Sequence, residues 1–131
     1  CALLVDVNNV AVSCFNHGWS PSVYLDALPL DRIAQFHLAG HSDLGTHRID
    51  THDGPVSDEV WALYASIYAR VGGASTLVEW DADVPPFEVL VEEVDRARAV
   101  ATSGSVDPRV VSPSRARLPH PLSVPRAEIG A

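Results

Sequence analysis

Four short apolar runs, each ending on charged or imidazole side chains, punctuate residues 2–81. They are "ALLVDV" (2–7), reaching Asp6; "RIAQFHLAG" (32–40), reaching His37; "HRIDTHDG" (47–54), reaching Asp50 and His52; and "STLVEWD" (75–81), reaching Glu79 and Asp81. Continuous apolar runs of this length read as strands buried in a parallel sheet. Helical segments lie between them. In 20–29 Ser20 stands as N-cap before Pro21, and Pro29 forces a stop. In 57–73 Ser57 caps, Asp58 and Glu59 complement the helix dipole, and Val60, Leu63, Tyr64, Ile67 and Val71 form an apolar stripe before Gly72 and Gly73. The pattern repeats over 85–101 with Phe87, Leu90, Val91, Val94 and Ala97. The predicted order is β, short α, β, long loop, β, α, β, α, with Asn8 and Asn9 in a turn after the first strand and Asn8 an ordinary turn former.

Strands alternating with helices imply parallel pairing through crossovers, hence an α/β sheet or barrel. Chemistry carried at several strand C-terminal ends favours a (β/α)8 barrel, which takes about 250 residues. This chain would supply about half of one. An open flavodoxin-type sheet fits the length better and is the structural alternative, although it concentrates its chemistry near one switch point. The expected layout is a half-barrel over 1–102 and a tail over 103–131. That tail is rich in Pro, Ser and Arg, lacks periodicity, and is expected to be disordered with His120 exposed.

With 131 residues, 47% of them hydrophobic, the chain buries one modest core. No apolar run approaches the roughly 18 residues of a membrane span, and the opening residues lack the layout of a signal peptide. The net charge is −8, and all nine basic residues are Arg. That balance argues against nucleic acid as a partner. Cys1 and Cys14 have no metal or redox spacing and read as reduced structural thiols of a cytoplasmic protein. A start on Cys1, two residues before a strand, suggests part of a longer protein.

The chemistry lies in imidazole and carboxylate groups at the strand ends. Asp6, Asn9, His37, Asp50, His52 and Glu79 are candidate ligands for Fe, Mn, Zn or Co. Asp50 and His52 are two apart, so on a strand both would face the same side. Each also has a structural reading: Asp6 as a cap, Asn9 as a turn former, His37 as a satisfied core histidine. Glu79 is harder to explain without a cation, because it sits between Val78 and Trp80 in a strand expected to be buried.

The segments "LLVDVNNV", "FNHG", "YLDALPLDRIAQFHLAGHS", "IDTHDGPV" and "LVEWD" together resemble the C-terminal half of the DUF692 (UPF0276) family of multinuclear non-heme iron-dependent oxidative enzymes, over about Ala2 to Ala101. The resemblance implies a xylose-isomerase-like TIM barrel with two or three iron ions at its mouth. It also implies oxygen-dependent modification of cysteine in a ribosomally made precursor peptide, often with a separate partner protein that recognises the leader. It makes Asp6 a ligand after the fifth strand, His37 one after the sixth, Asp50 and His52 a pair after the seventh, and Glu79 a bridging carboxylate after the eighth. Asn9 stands where related endonucleases carry histidine. His17 is a further ligand or substrate contact. His41 and Asp53 orient ligands or move protons, and His47 is structural. The first barrel half, with further histidines and a glutamate, is not in this chain, so activity is expected of the longer protein and not of this piece alone. Two other readings remain: a metal-dependent isomerase or hydrolase on the same barrel, and a non-catalytic truncated metal-binding module.

Overall fold

The computed structural model describes residues 1–103. The tail expected over 103–131 lies outside the described residues from residue 104, and Ser103 is the last residue of a helix. In chain order the elements are β1 (Leu3–Asp6), α1 (Val7–His17), α2 (Pro21–Asp26), a 3-10 turn (Leu30–Arg32), β2 (Ile33–Ala39), β3 (Ser42–Asp43), β4 (Arg48–Ile49), α3 (Asp58–Val71), β5 (Ser75–Glu79) and α4 (Phe87–Ser103).

Three strands, β1, β2 and β5, pair in parallel in that order, where the apolar runs predicted four. The run 47–54 contributes only β4, which pairs with β3 in a separate antiparallel hairpin. Its apolar content explains the difference. Ile49 is the one large aliphatic residue in it, too little to fill a position buried in a parallel sheet.

The segment after β1, expected as a turn at Asn8 and Asn9, is instead the helix α1. Asp6 caps it, its side chain accepting from the Asn9 backbone N–H at 2.8 Å, and Gly18 ends it in the left-handed region at φ 67°. Val, Asn, Ser, Cys and Phe are middling helix formers, so propensity alone does not announce this helix. Burial holds it. Val7, Val10, Ala11 and Cys14 recur at helical spacing and enter the core. Helices α2 and α3 start where expected, with Ser20 and Ser57 as side-chain caps, whereas α4 starts at Phe87, inside the 85–101 expected.

The strand order is monotonic, and the core shows the consequence. Val5, Phe36 and Leu38 pack with Val10 and Ala11 of α1, Val60, Trp61 and Tyr64 of α3, and Ala97 and Val100 of α4. Phe36 meets the Tyr64 ring edge-on at 5.6 Å, and the Tyr64 hydroxyl reaches Thr76 Oγ1 at 2.8 Å. Burying Phe36 or Leu38 is worth about 1.5–3 kcal/mol each. The opposite sheet face is open: Leu4 is 56% exposed and Leu77 46%. The core residues of α1, α3 and α4 gather on one face of the sheet, as the helices of a barrel wall do. The α/β layout is therefore consistent with part of a barrel.

A polar cluster sits between α3 and α4. Glu93, 2% exposed, lies against Trp61 and Arg96, and Arg96 reaches Asp58 at 3.0 Å while stacking over the Trp61 ring at 4.8 Å. Trp61 Nε1 and Glu93 Oε2 are both buried without an aligned hydrogen bond, the indole lying close enough to act on the carboxyl electrostatically. Burial pushes Glu93 up to about 7 against the opposing pull of Arg96. With its folded pKa above its unfolded one, Glu93 favours folding only when protonated, so stability falls as pH rises from about 4.3 through 7. Glu93→Gln is expected to exceed the parent in stability by up to about 3 kcal/mol at pH 8 and by little at pH 4. Urea unfolding at the two pH values checks this, and an equal difference at both would refute it.

Candidate functional site

The open face of the sheet carries the site because of register. Asp6 pairs with His37 across β1 and β2, and Ala39 pairs with Glu79 across β2 and β5. His37 and Ala39 are two apart on one strand, so Asp6, His37 and Glu79 all project from the same face at its C-terminal end. His37 Nδ1 lies 2.6 Å from Asp6 Oδ2, and His37 Nε2 lies 2.6 Å from Glu79 Oε2. The second contact has the distance of a hydrogen bond without its geometry: Nε2 is buried and unpartnered in hydrogen-bonding terms.

Asp50 and His52 reach the same place from a loop. The strand alternation expected of this pair is absent, since β4 ends at Ile49. What aims His52 is a left-handed backbone, φ 50°, uncommon for a residue other than glycine. Its N–H donates to the Gly40 carbonyl at 3.2 Å, and its carbonyl accepts from the Asp81 N–H at 2.8 Å, so the loop is pinned between the ends of β2 and β5. His52 Nε2 then lies 3.0 Å from Asp50 Oδ1, and Nδ1 lies 3.1 Å from Glu79 Oε2 and 3.4 Å from Asp81 Oδ2. The two imidazoles face each other edge-on with centroids 5.2 Å apart.

Two donor groups result, Asp6 with His37 and His52, and His52 with Glu79 and Asp81, the ligand atoms of each lying within 4.8 Å of one another. Exposure rises from His37 at the floor, 8%, to Asp81 at the rim, 60%. Burial pulls the His52 imidazole down, but Asp50, Glu79 and Asp6 outweigh it and its pKa is raised. Four carboxylates around two imidazoles repel one another strongly, and a multivalent cation is the partner that reverses this. The unaligned His37 Nε2 beside Glu79 is the arrangement a shared cation fits. Asp6 uses Oδ1 to cap α1 and Oδ2 on His37, and each carboxylate oxygen keeps a second lone pair.

Other predicted residues fall elsewhere. Asn9 donates its amide to Asp50 Oδ2 at 3.1 Å, which makes it a holder of Asp50 in this arrangement. His17 ends α1, about 15 Å along the helix from the Asp6 cap, and stacks on Trp19 at 4.7 Å, so it does not join the cluster. Asp53 accepts from Ser42 at 3.0 Å and Thr51 at 2.5 Å, bracing the loop. His41 Nδ1 lies 2.8 Å from Asn8 Oδ1; burial first, then Arg48, lowers its pKa. His47 is exposed and paired with the Thr46 hydroxyl. Two residues outside the candidate set matter. Asp81 closes the second donor group; its place at the end of the "LVEWD" run was the available signal. Asn8, taken for a turn former, is fully buried and bonded to Gly40, Asp50 and His41. No local signal marks it, since its partners are more than 30 residues away.

Comparison with known proteins gives the family. The family model described as RiPP precursor modification enzyme MbnB/TglH/ChrH matches residues 1–102. The chain belongs to this family. It is also similar to proteins named UPF0276: 55% identical over 100 residues to one from Anaeromyxobacter sp., covering 76% of this chain and 35% of that protein. It is 50% identical over 103 residues to one from Rhizorhabdus wittichii, covering 79% and 37%, and 50% over 97 residues to one from Acaryochloris marina, covering 74% and 35%. The chain thus spans little more than a third of these relatives' length.

Gly40 is the close contact on which the loop rests. A Cβ there would stand 2.2 Å from the Gly54 carbonyl oxygen, whereas one at Gly54 would meet nothing within 4 Å. Gly40→Ala is expected to cost about 1–3 kcal/mol through forced backbone displacement, and Gly54→Ala less than 1 kcal/mol. Denaturant melts of both variants measure it; equal losses would remove the contact from the account.

Proposed function

We propose that the protein to which this chain belongs is a multinuclear iron-dependent oxidative enzyme acting on cysteine residues of a ribosomally made precursor peptide. Its three parallel βα units would form the C-terminal part of a xylose-isomerase-like (β/α)8 barrel. Three of eight units is close to the 35–37% of relatives' length that the chain covers. The observation that carries the metal reading is the pair of donor groups sharing His52, with Glu79 Oε2 between His37 Nε2 and His52 Nδ1. Family membership supports the peptide substrate.

The residues that would hold iron are His37, His52, Asp50, Glu79, Asp81 and Asp6, a borderline and hard donor set suited to two or three such ions. Iron, when bound, supplies one-electron chemistry with dioxygen as co-substrate and an affinity for the cysteine thiolate. The chain's own groups do the positioning. Asp6 holds His37 through Nδ1 and leaves Nε2 directed at Glu79, the carboxylate–histidine arrangement that fixes a ligand's ring and tautomer. The acidic mouth excludes competing anions, while His41, with its lowered pKa, remains a neutral imidazole nearby. A separate protein that recognises the peptide leader completes the proposed system.

The intact protein purified from iron-replete cells is expected to contain two or three irons and to consume oxygen with a cysteine-containing peptide, but not with its serine counterpart. Absence of bound metal, or full turnover with zinc or magnesium under anaerobic conditions, overturns the reading; the latter would identify an isomerase or hydrolase. Asp6→Asn is expected to weaken iron binding about 10- to 100-fold, measured by competition with a chelator.

A further inference from the structure

Asn8 is the one fully buried amide of the site, and its orientation is fixed by its partners. Its Nδ2 donates to the Gly40 carbonyl at 3.1 Å and, by a short contact, to Asp50 Oδ1. A backbone carbonyl only accepts, so the atom facing it must be the amide nitrogen, and a reversed amide would set oxygen against oxygen at both contacts. The other end, Oδ1, therefore faces His41 Nδ1 at 2.8 Å. An amide oxygen cannot donate, so the proton of that bond sits on His41 Nδ1. In a neutral imidazole this leaves Nε2 as a lone-pair acceptor.

We propose that Asn8 is the positioning residue of the site: one amide holds Asp50 by its nitrogen and fixes His41 by its oxygen as the Nδ1–H tautomer, with Nε2 ready to accept a proton. The chain of partners runs from the end of β2 through the first turn of α1 to the loop that carries Asp50 and His52. Asn8 reads the strand end and the loop together, so a displacement of either reaches both the ligand and the base. Asn9 adds a second hold on Asp50 through Oδ2, leaving that carboxylate gripped at both oxygens. The role of His41 as acceptor rests on the oxidative reading above, where a substrate cysteine S–H gives its proton to Nε2 and becomes the thiolate. The tautomer itself does not depend on that reading.

The first test needs no variant. Long-range proton–nitrogen NMR of the intact protein, metal-free or loaded with zinc to avoid paramagnetic broadening, is expected to show His41 neutral at pH 7 and protonated on Nδ1. A proton on Nε2, or an imidazolium, overturns the assignment whatever the metal or activity. Two variants separate the roles. Asn8→Asp keeps an acceptor for His41 but sets a carboxylate against Asp50 and Gly40, so the tautomer is expected to stay while iron affinity falls about 10- to 100-fold. Asn8→Ala removes both, and the His41 tautomer is expected to become mixed, provided circular dichroism shows a folded chain; if it does not, the Asn8→Asp result decides. Iron affinity unchanged in Asn8→Asp would remove the hold on Asp50. A wild-type Nδ1–H tautomer together with failure of the oxygen assay would leave Asn8 as proposed and refute only the oxidative reading.

Discussion

The meeting of loop and strand ends at the open end of the sheet depends on the absence of a side chain at Gly40. The backbone at Gly54 lies where a Cβ would stand, and the Gly40 carbonyl accepts from both the His52 N–H and the Asn8 amide. This single carbonyl ties the end of β2, the start of α1 and the loop 50–54 together. Without it, the strand residues Asp6, His37 and Glu79 would still share a face, because register places them there. The loop residues Asp50 and His52 would have no reason to meet them. The glycine thus lets two loop residues join three strand residues, making a site of five polar groups.

The cost of that convergence is electrostatic, and its sign explains the rest of the local structure. Burial lowers the His52 pKa, but Asp50, Glu79 and Asp6 raise it by more, so the carboxylates favour a positive charge at this place. A metal ion would compete with a proton for this imidazole, since an imidazole ligates only when neutral. The side-chain amides of Asn8 and Asn9, which donate to Asp50, and the Asn9 backbone N–H, which donates to the capping Asp6, are neutral donors aimed at these carboxylates. They steady the anions without competing for their remaining lone pairs.

The sequence made some of this legible and hid the rest for physical reasons. Strands β1, β2 and β5 were readable because buried parallel strands are continuous apolar runs, and α3 because it is capped and amphipathic. Helix α1 was hidden by its composition: Asn8 and Asn9 look like a turn, and the Asp6 cap serves His37 with its other oxygen. The run 47–54 was misread as a strand for the opposite reason. Its Asp50-x-His52 spacing is real, and the two side chains do meet, but a left-handed residue and the Gly40 contact bring them together. Long-range pairings of this kind leave no trace in local periodicity. Asn8 shows the limit most sharply, since every one of its side-chain partners is supplied by a segment more than 30 residues away.

The same logic bears on why the two donor groups sit so close. His52 belongs to both, and Glu79 Oε2 lies 2.6 Å from one imidazole and 3.1 Å from the other. A single ion would need only three or four of these ligands, and the surplus carboxylates would then remain crowded and unneutralised. In the metal reading proposed above, a second cation would neutralise more of them, with Asp6 and Asp50 each holding one imidazole nitrogen and leaving the other for metal. The excess of acid over base at the site would thus favour more than one cation in that reading.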